Sequence, residues 1–259
     1  MGLLEGRVAI VTGASKGIGR EISVRFAAEG AKVICAARTG SLLEETVASI
    51  RTSGGEAFAV VADASTETGA MSIVEAGIRH FARIDTLVNN AGDGGPTKPV
   101  HEYTTEEWLQ TINSCLTSSY MCARFAVPHI IAAGGGSIVN ISSMAGRRGL
   151  PYRVGYSAAK GGQIGMTYGL ALELGPHNIT VNAIAPGVVE GDRVEVMVKG
   201  QARIRGIAVD EMRQRFVDRL PLKRMAKASD IAALAVFLCS DQARNLSGQC
   251  IPVTAGEPT

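Results

Sequence analysis

Tyr156 and Lys160 stand four residues apart in a stretch with helical spacing, so both side chains project from one helix face. A phenol titrates near pH ~10 and is a poor proton donor or acceptor at neutrality. An ammonium one turn away favours the phenolate and moves the group toward the range where general acid–base chemistry works. Tyr156 would then protonate a carbonyl oxygen in one direction and deprotonate an alcohol in the other. Ser143 follows an apolar run and offers a hydroxyl to hold the substrate oxygen as charge develops on it. The pair alone is a weak signal. Tyr156 also reads as a half-buried helix aromatic, and Ser143 as a turn former with Ser142 beside it.

A second cluster lies near the N-terminus, where an apolar run ending at Val11 enters Thr12-Gly13-Ala14-Ser15-Lys16-Gly17-Ile18-Gly19 and then a helical stretch. Glycine serves where backbone turns sharply or approaches a ligand closely. The free N–H groups and positive dipole end of the helix that follows suit a diphosphate. Strand, glycine turn and helix in this order point to a dinucleotide site rather than a plain turn. The next strand ends Cys35-Ala36-Ala37-Arg38, without the carboxylate that NAD-specific sites commonly place there. Arg38 would stack on adenine and bind a 2′-phosphate, and Lys16 would add a second positive charge. That favours NADP, with NAD as the alternative.

The elements that must position these residues follow from periodicity. Near-continuous apolar runs at 8–11, 33–37, 58–62, 86–88, 138–141, 179–184 and 251–253 read as strands of a parallel sheet covered on both faces. Amphipathic stretches at 17–29, 40–53, 66–82, 104–132, 155–174 and 229–239 read as helices. The alternation predicts an α/β fold: a doubly wound, Rossmann-type parallel sheet of about seven strands with helices on both faces, in a single domain over 1–259. Residues 188–218 break the rhythm with mixed charge and follow a strand's carboxyl end, so they read as a substrate lid.

Taken together, the motifs resemble the short-chain dehydrogenase/reductase family over residues 5–256, and most of all its 3-oxoacyl-carrier-protein reductases. The resemblance rests on Gly13, Gly17 and Gly19, on Asn89-Asn90-Ala91-Gly92, on Ser143 and Tyr156-x-x-x-Lys160, and on Pro186-Gly187. It implies an oxidoreductase that moves a hydride between NADP(H) and a carbonyl or secondary alcohol, with Ser143, Tyr156 and Lys160 as catalytic residues. It implies a cofactor held by Gly13, Ser15, Lys16, Gly17, Ile18, Gly19, Arg38, Asp63, Ala64, Asn90, Ala91, Gly92, Tyr156, Lys160, Pro186, Gly187 and Val189. Asp63 would contact adenine, and Lys160 would also hold the nicotinamide ribose. Met144, Tyr152, Gly94 and Gly95 fall at substrate-pocket positions, and helices near 121–133 and 158–171 would build a homotetramer.

Two positions depart from the family pattern. Seven residues after Trp108 the family has an Asn at a helix irregularity whose backbone carbonyl holds a water linked to the catalytic Lys; here the residue is Cys115. The carbonyl survives the exchange, so the proton relay is expected to persist in altered form. Four residues beyond Gly187 the family often has a Thr that helps hold the carboxamide; here it is Gly191, leaving backbone groups near Val189 to do so. These departures keep one alternative open, a catalytically silent dinucleotide-binding sensor.

Bulk properties exclude other classes. The net charge of +2 argues against a nucleic-acid partner held by a broad basic surface. Five scattered cysteines without a CxxC argue for free thiols in a reducing cytoplasm rather than a disulfide framework or a metal site. No apolar run reaches the ~18 residues of a membrane span, and no signal peptide is expected. Over 192–219 seven basic residues face five acids. That slight surplus fits a solvated, charge-paired helix face better than a site for an anionic substrate. The partner implied is a small molecule of unnamed kind.

Overall fold

The apolar runs become strands because Val, Ile, Ala and Leu side chains on both faces find cover. In a computed structural model that describes residues 2–258, seven strands form one sheet. They are β1 (Val8–Thr12), β2 (Lys32–Ala37), β3 (Ala57–Val61), β4 (Thr86–Asn89), β5 (Gly136–Ile141), β6 (Ile179–Pro186) and β7 (Cys250–Val253). All neighbours pair in parallel, in the order β3-β2-β1-β4-β5-β6-β7.

Alternation along the strands assigns the two faces. Ala9 and Val11 face a core built with α1 (Gly17–Ala28), α2 (Gly40–Thr52) and α10 (Ala228–Cys239), through Phe26, Val47 and Ile231. Ile10 and Ile34 face the opposite core, against α3 (Glu67–Phe81), α5 (Ser118–Ala132) and α7 (Val154–Leu174), through Ile73, Ile130 and Leu174. The expected doubly wound, single-domain sheet of seven strands is the fold observed.

Three regions are finer than the sequence reading. The helix expected over 104–132 is α4 (Thr105–Ile112), a π-turn over Asn113–Thr117, and α5 in continuation. A short helix, α6 (Met144–Arg148), occupies what reads as a loop after β5. Within 188–218 the chain forms α8 (Asp192–Arg205) and α9 (Val209–Asp218), joined by their own small core around Val198, Met212 and Phe216.

The sheet order reverses direction of growth between β1 and β4, so the chain leaves these neighbours toward opposite faces and a crevice opens at their carboxyl ends.

Candidate active site

Parallel pairing brings the carboxyl ends of the strands to one edge, and the candidate residues follow those ends. The glycine turn follows β1, Arg38 follows β2, Asp63 follows β3, Asn90–Gly92 follow β4, Ser143 follows β5, and Pro186 ends β6. At the switch point Thr12 ties two of these segments together. Its hydroxyl donates to Val88 O at 3.3 Å and accepts from the Asn90 and Ala91 amides, each at 3.0 Å. The Asn90 side-chain amide returns to Thr12 O and Gly13 O at 2.9 and 3.2 Å.

The glycine turn needs its glycines for two separate reasons. Gly13 has φ +66°, a left-handed conformation, and Gly19 lies so close that a β-carbon there would collide with Gly13 O. No side chain caps α1: Lys16 at its N-cap position makes no cap hydrogen bond and no acid stands in the first turn. The amides of that first turn are therefore unclaimed by side chains, which is the donor set a diphosphate requires. Lys16 and Arg38 are exposed. Asp63 is part-buried. Burial pushes its carboxyl up, but the Ser65 hydroxyl and amide, at 2.7 and 2.9 Å, and the Arg38 charge hold it below the ordinary carboxylate value.

Tyr156 and Lys160 both lie on α7, one turn apart. Lys160 is only 2% exposed, its ammonium 5.8 Å from the Tyr156 ring centre. Its Nζ donates to Ile141 O at 2.7 Å and to Gln163 Oε1 at 2.8 Å. Ser143 heads the adjoining α6, and its Oγ accepts the Ala145 amide at 3.1 Å, leaving its own proton free to donate. Its neighbour Ser142 is buried and donates to Lys160 O at 2.8 Å. Gly146 lets α6 sit directly on α7, since a β-carbon there would strike the Lys160 backbone.

The π-turn is present even though Cys115 replaces the expected Asn. Cys115 is buried beneath Gly92 and its thiol donates to Asp93 O at 3.0 Å. Its carbonyl accepts the Ser119 hydroxyl at 3.0 Å, Ser119 accepts the Gln163 amide at 2.6 Å, and Gln163 holds Lys160. A continuous side-chain path therefore joins the Lys160 ammonium to the Cys115 carbonyl. The sequence reading misses Ser119 and Gln163, because polar helix residues are ordinarily solvated and nothing local marks these two as facing inward.

On the far side of the crevice, the Gly187 amide donates to Val253 O at 2.9 Å, and Val189 pairs with Ala226 in an isolated bridge. Gly191 has φ +129° at the N-cap of α8. A side chain there would be strained, so the missing Thr hydroxyl goes with a backbone form that favours glycine. From the first turn of α8, Arg193 Nη2 donates to Gly92 O at 2.5 Å.

Known proteins match over nearly the whole chain. The family model described as enoyl-(acyl carrier protein) reductase matches residues 13–257. Glucose 1-dehydrogenase 2 of Bacillus subtilis is 34% identical, over 98% of this chain and 95% of that protein. A 3-oxoacyl-[acyl-carrier-protein] reductase of Staphylococcus aureus is 33% identical, over 96% of each. The crystal structure of carveol dehydrogenase from Mycobacterium avium in complex with NAD superposes with TM-score 0.92 at 32% identity, over 99% of both chains. With a dinucleotide-type crevice and this extent of likeness, the chain belongs to the short-chain dehydrogenase/reductase family of oxidoreductases, in its 3-oxoacyl-carrier-protein-reductase-like part.

Proposed function

We propose that the protein reduces a carbonyl, or oxidises the matching secondary alcohol, with NADP(H), and that Ser143, Tyr156 and Lys160 do the acid–base work. The observation that carries this reading is the buried Lys160 ammonium beside the Tyr156 ring, with the free Ser143 hydroxyl on the adjoining helix. When bound, the nicotinamide supplies or accepts the hydride. The chain's own residues supply the rest. Tyr156 passes its proton to the carbonyl oxygen. Ser143 donates a hydrogen bond to that same oxygen and stabilises the charge growing there. Lys160, fixed by Ile141 O and Gln163, holds its ammonium beside the Tyr156 ring and would hold the nicotinamide ribose.

The α1 amides hold the diphosphate, Asp63 and Ala64 border the adenine, and Asn90–Gly92 with Pro186–Val189 border the nicotinamide. Arg38 and Lys16, both exposed at the adenosine end without an acid at the end of β2, favour the 2′-phosphate of NADP over NAD. Residues 188–218, folded as α8 and α9, act as the lid. The assembly is a homotetramer built on α5 and α7, and its five free thiols suit a reducing cytoplasm. The relatives' names span a sugar, an acyl chain and a terpene alcohol, so substrate choice is read from this chain's own residues.

The test follows NADPH absorbance with a panel of ketones, aldehydes and 3-oxoacyl thioesters, with Tyr156→Phe alongside. Tyr156→Phe is expected to lose on the order of 10²–10⁴-fold in turnover, while its cofactor dissociation constant stays within threefold. NADPH binds more tightly than NADH in the same titrations. Undiminished turnover in Tyr156→Phe removes the catalytic assignment, and tighter NADH binding reverses the cofactor assignment.

A further inference from the structure

Arg153 is a charge held out of solvent. It is 4% exposed, yet among the described residues no carboxylate oxygen lies within 4.0 Å of it. Nη2 donates to Gly94 O and Nη1 donates to Thr97 Oγ1 at 3.4 Å, while the buried Nε has no partner. A buried guanidinium without an anion carries an uncompensated desolvation cost. Its place adds to that cost, because Arg153 caps the N-terminal, positive end of the 21-residue helix α7. Burial lowers its pKa from the ordinary guanidinium value, with Tyr156, Tyr103 and Asp93 pulling the other way and Arg193 adding to the fall. That ordinary value is high enough for the group to remain charged at neutrality. Asp93, an exposed residue, makes no ion pair with it, and its Oδ1 accepts the Gly95 amide.

The position is as informative as the burial. The guanidinium carbon lies 5.2 Å from the Tyr156 ring centre. The segment after β4 runs between two cations, Arg153 on Gly94 O and Arg193 on Gly92 O. Gly94 permits this, since a β-carbon there would collide with Nη2 of Arg153. The diphosphate end of the crevice is at α1, on a different strand end, so the cofactor's phosphates do not answer this charge. We propose that the substrate carries a carboxylate close to its reacting carbonyl or alcohol carbon, and that Arg153, with Arg193 at the lid, receives it. The substrates are thus oxo and hydroxy acids rather than neutral ketones. This rests on the Tyr156 reading above, because the anion site is placed relative to that phenol.

The test compares matched pairs: linear and cyclic 2-, 3- and 4-oxo acids, each against its own methyl ester, with NADPH and with NADH. For the best pair, kcat/KM for the acid is expected to exceed that for the ester by tenfold or more in the wild-type protein. Arg153→Gln is expected to bring that ratio close to one, mainly through the KM of the acid, and Arg153→Lys to restore part of it. An ester used as well as its acid overturns the proposal. So does an Arg153→Gln protein that slows both members of the pair equally, because Arg153 would then act on Tyr156 or on the 92–97 segment alone. A second arm needs no turnover: benzoate, titrated into the cofactor-bound protein, should raise the unfolding midpoint of the wild type and not that of Arg153→Gln. A benzoate shift without any turnover leaves the anion site standing and counts against the Tyr156 reading. Turnover of neutral carbonyls without a benzoate shift does the reverse. If Arg153→Gln fails to fold, Gly94→Ala displaces the guanidinium instead, and the wild-type acid-to-ester ratio decides on its own.

Discussion

Single side chains in this protein are defined by which neighbour their polar atoms find. Ser142 and Ser143 are indistinguishable as residue types after an apolar strand. One is buried on Lys160 O, and the other keeps a free proton at the head of α6. Asp63 is read from the sequence by resemblance, but its local chemistry comes from Ser65 two residues on. Its folded pKa lies below the ordinary carboxylate value. A carboxyl depressed in this way stabilises the fold above its unfolded pKa, and the contribution disappears as pH falls through the folded value. Asp63→Asn should therefore cost about 1 kcal/mol at pH 7 and less at about pH 3, below the unfolded carboxyl's pKa of ~3.9, where the contribution is being lost. Urea melts at the two pH values check this, and an equal penalty at both would refute it. Arg153 was not legible in the same way. A charged residue ahead of a helix is ordinarily solvated, and its burial depends on Gly94, which is far from it in sequence.

At the scale of elements, the π-turn decides how much the Cys115 departure matters. Five residues, Asn113–Thr117, form a single π-turn, and the Cys115 carbonyl belongs to it. Ser119 takes that carbonyl, Gln163 takes Ser119, and Lys160 takes Gln163. The irregularity therefore does not require Asn, and the link from carbonyl to ammonium is made by side chains. Cys115→Asn is expected to leave kcat within about threefold, because the backbone carbonyl rather than the side chain carries the link. A large rise in kcat would mean that the natural relay is crippled. The silent-sensor alternative drew its support from Cys115 and Gly191. With the π-turn intact and Gly191 set at φ +129°, both departures have structural accounts that leave Ser143, Tyr156 and Lys160 in place.

Over the whole molecule, the parallel sheet gathers residues from six strand ends at one edge, so a site spread over residues 12–191 needs no long loops to close it. Two helices on one face of that sheet leave large apolar side chains uncovered. Leu172 of α7 is 83% exposed, and Tyr168 of α7 and Tyr120 of α5 are also in solvent in the single chain. Exposed apolar groups on two adjacent surface helices are what a subunit interface covers. Sedimentation equilibrium should give a mass about four times that of the chain, and Leu172→Lys should shift it toward smaller species. A monomer at micromolar concentration removes the tetramer. Among the described residues no helix is long and apolar enough to cross a membrane.

The sequence by itself determined the strands, most of the helices, the glycine turn and the Tyr156–Lys160 pair. Each of these rests on local periodicity or on a spacing within one element, and short-range sterics dictate both. The fold class followed because apolar runs of that kind need cover on both faces. Only the tertiary structure buried Ser142 on Lys160 O, turned Gln163 and Ser119 inward to Lys160, and set Arg153 without an anion beside Tyr156. Those outcomes depend on which distant backbone carbonyl or hydroxyl a side chain meets, and on glycines such as Gly94 and Gly146 that let segments approach. Burial of a polar group is a property of the packed chain, and no spacing within one segment carries it.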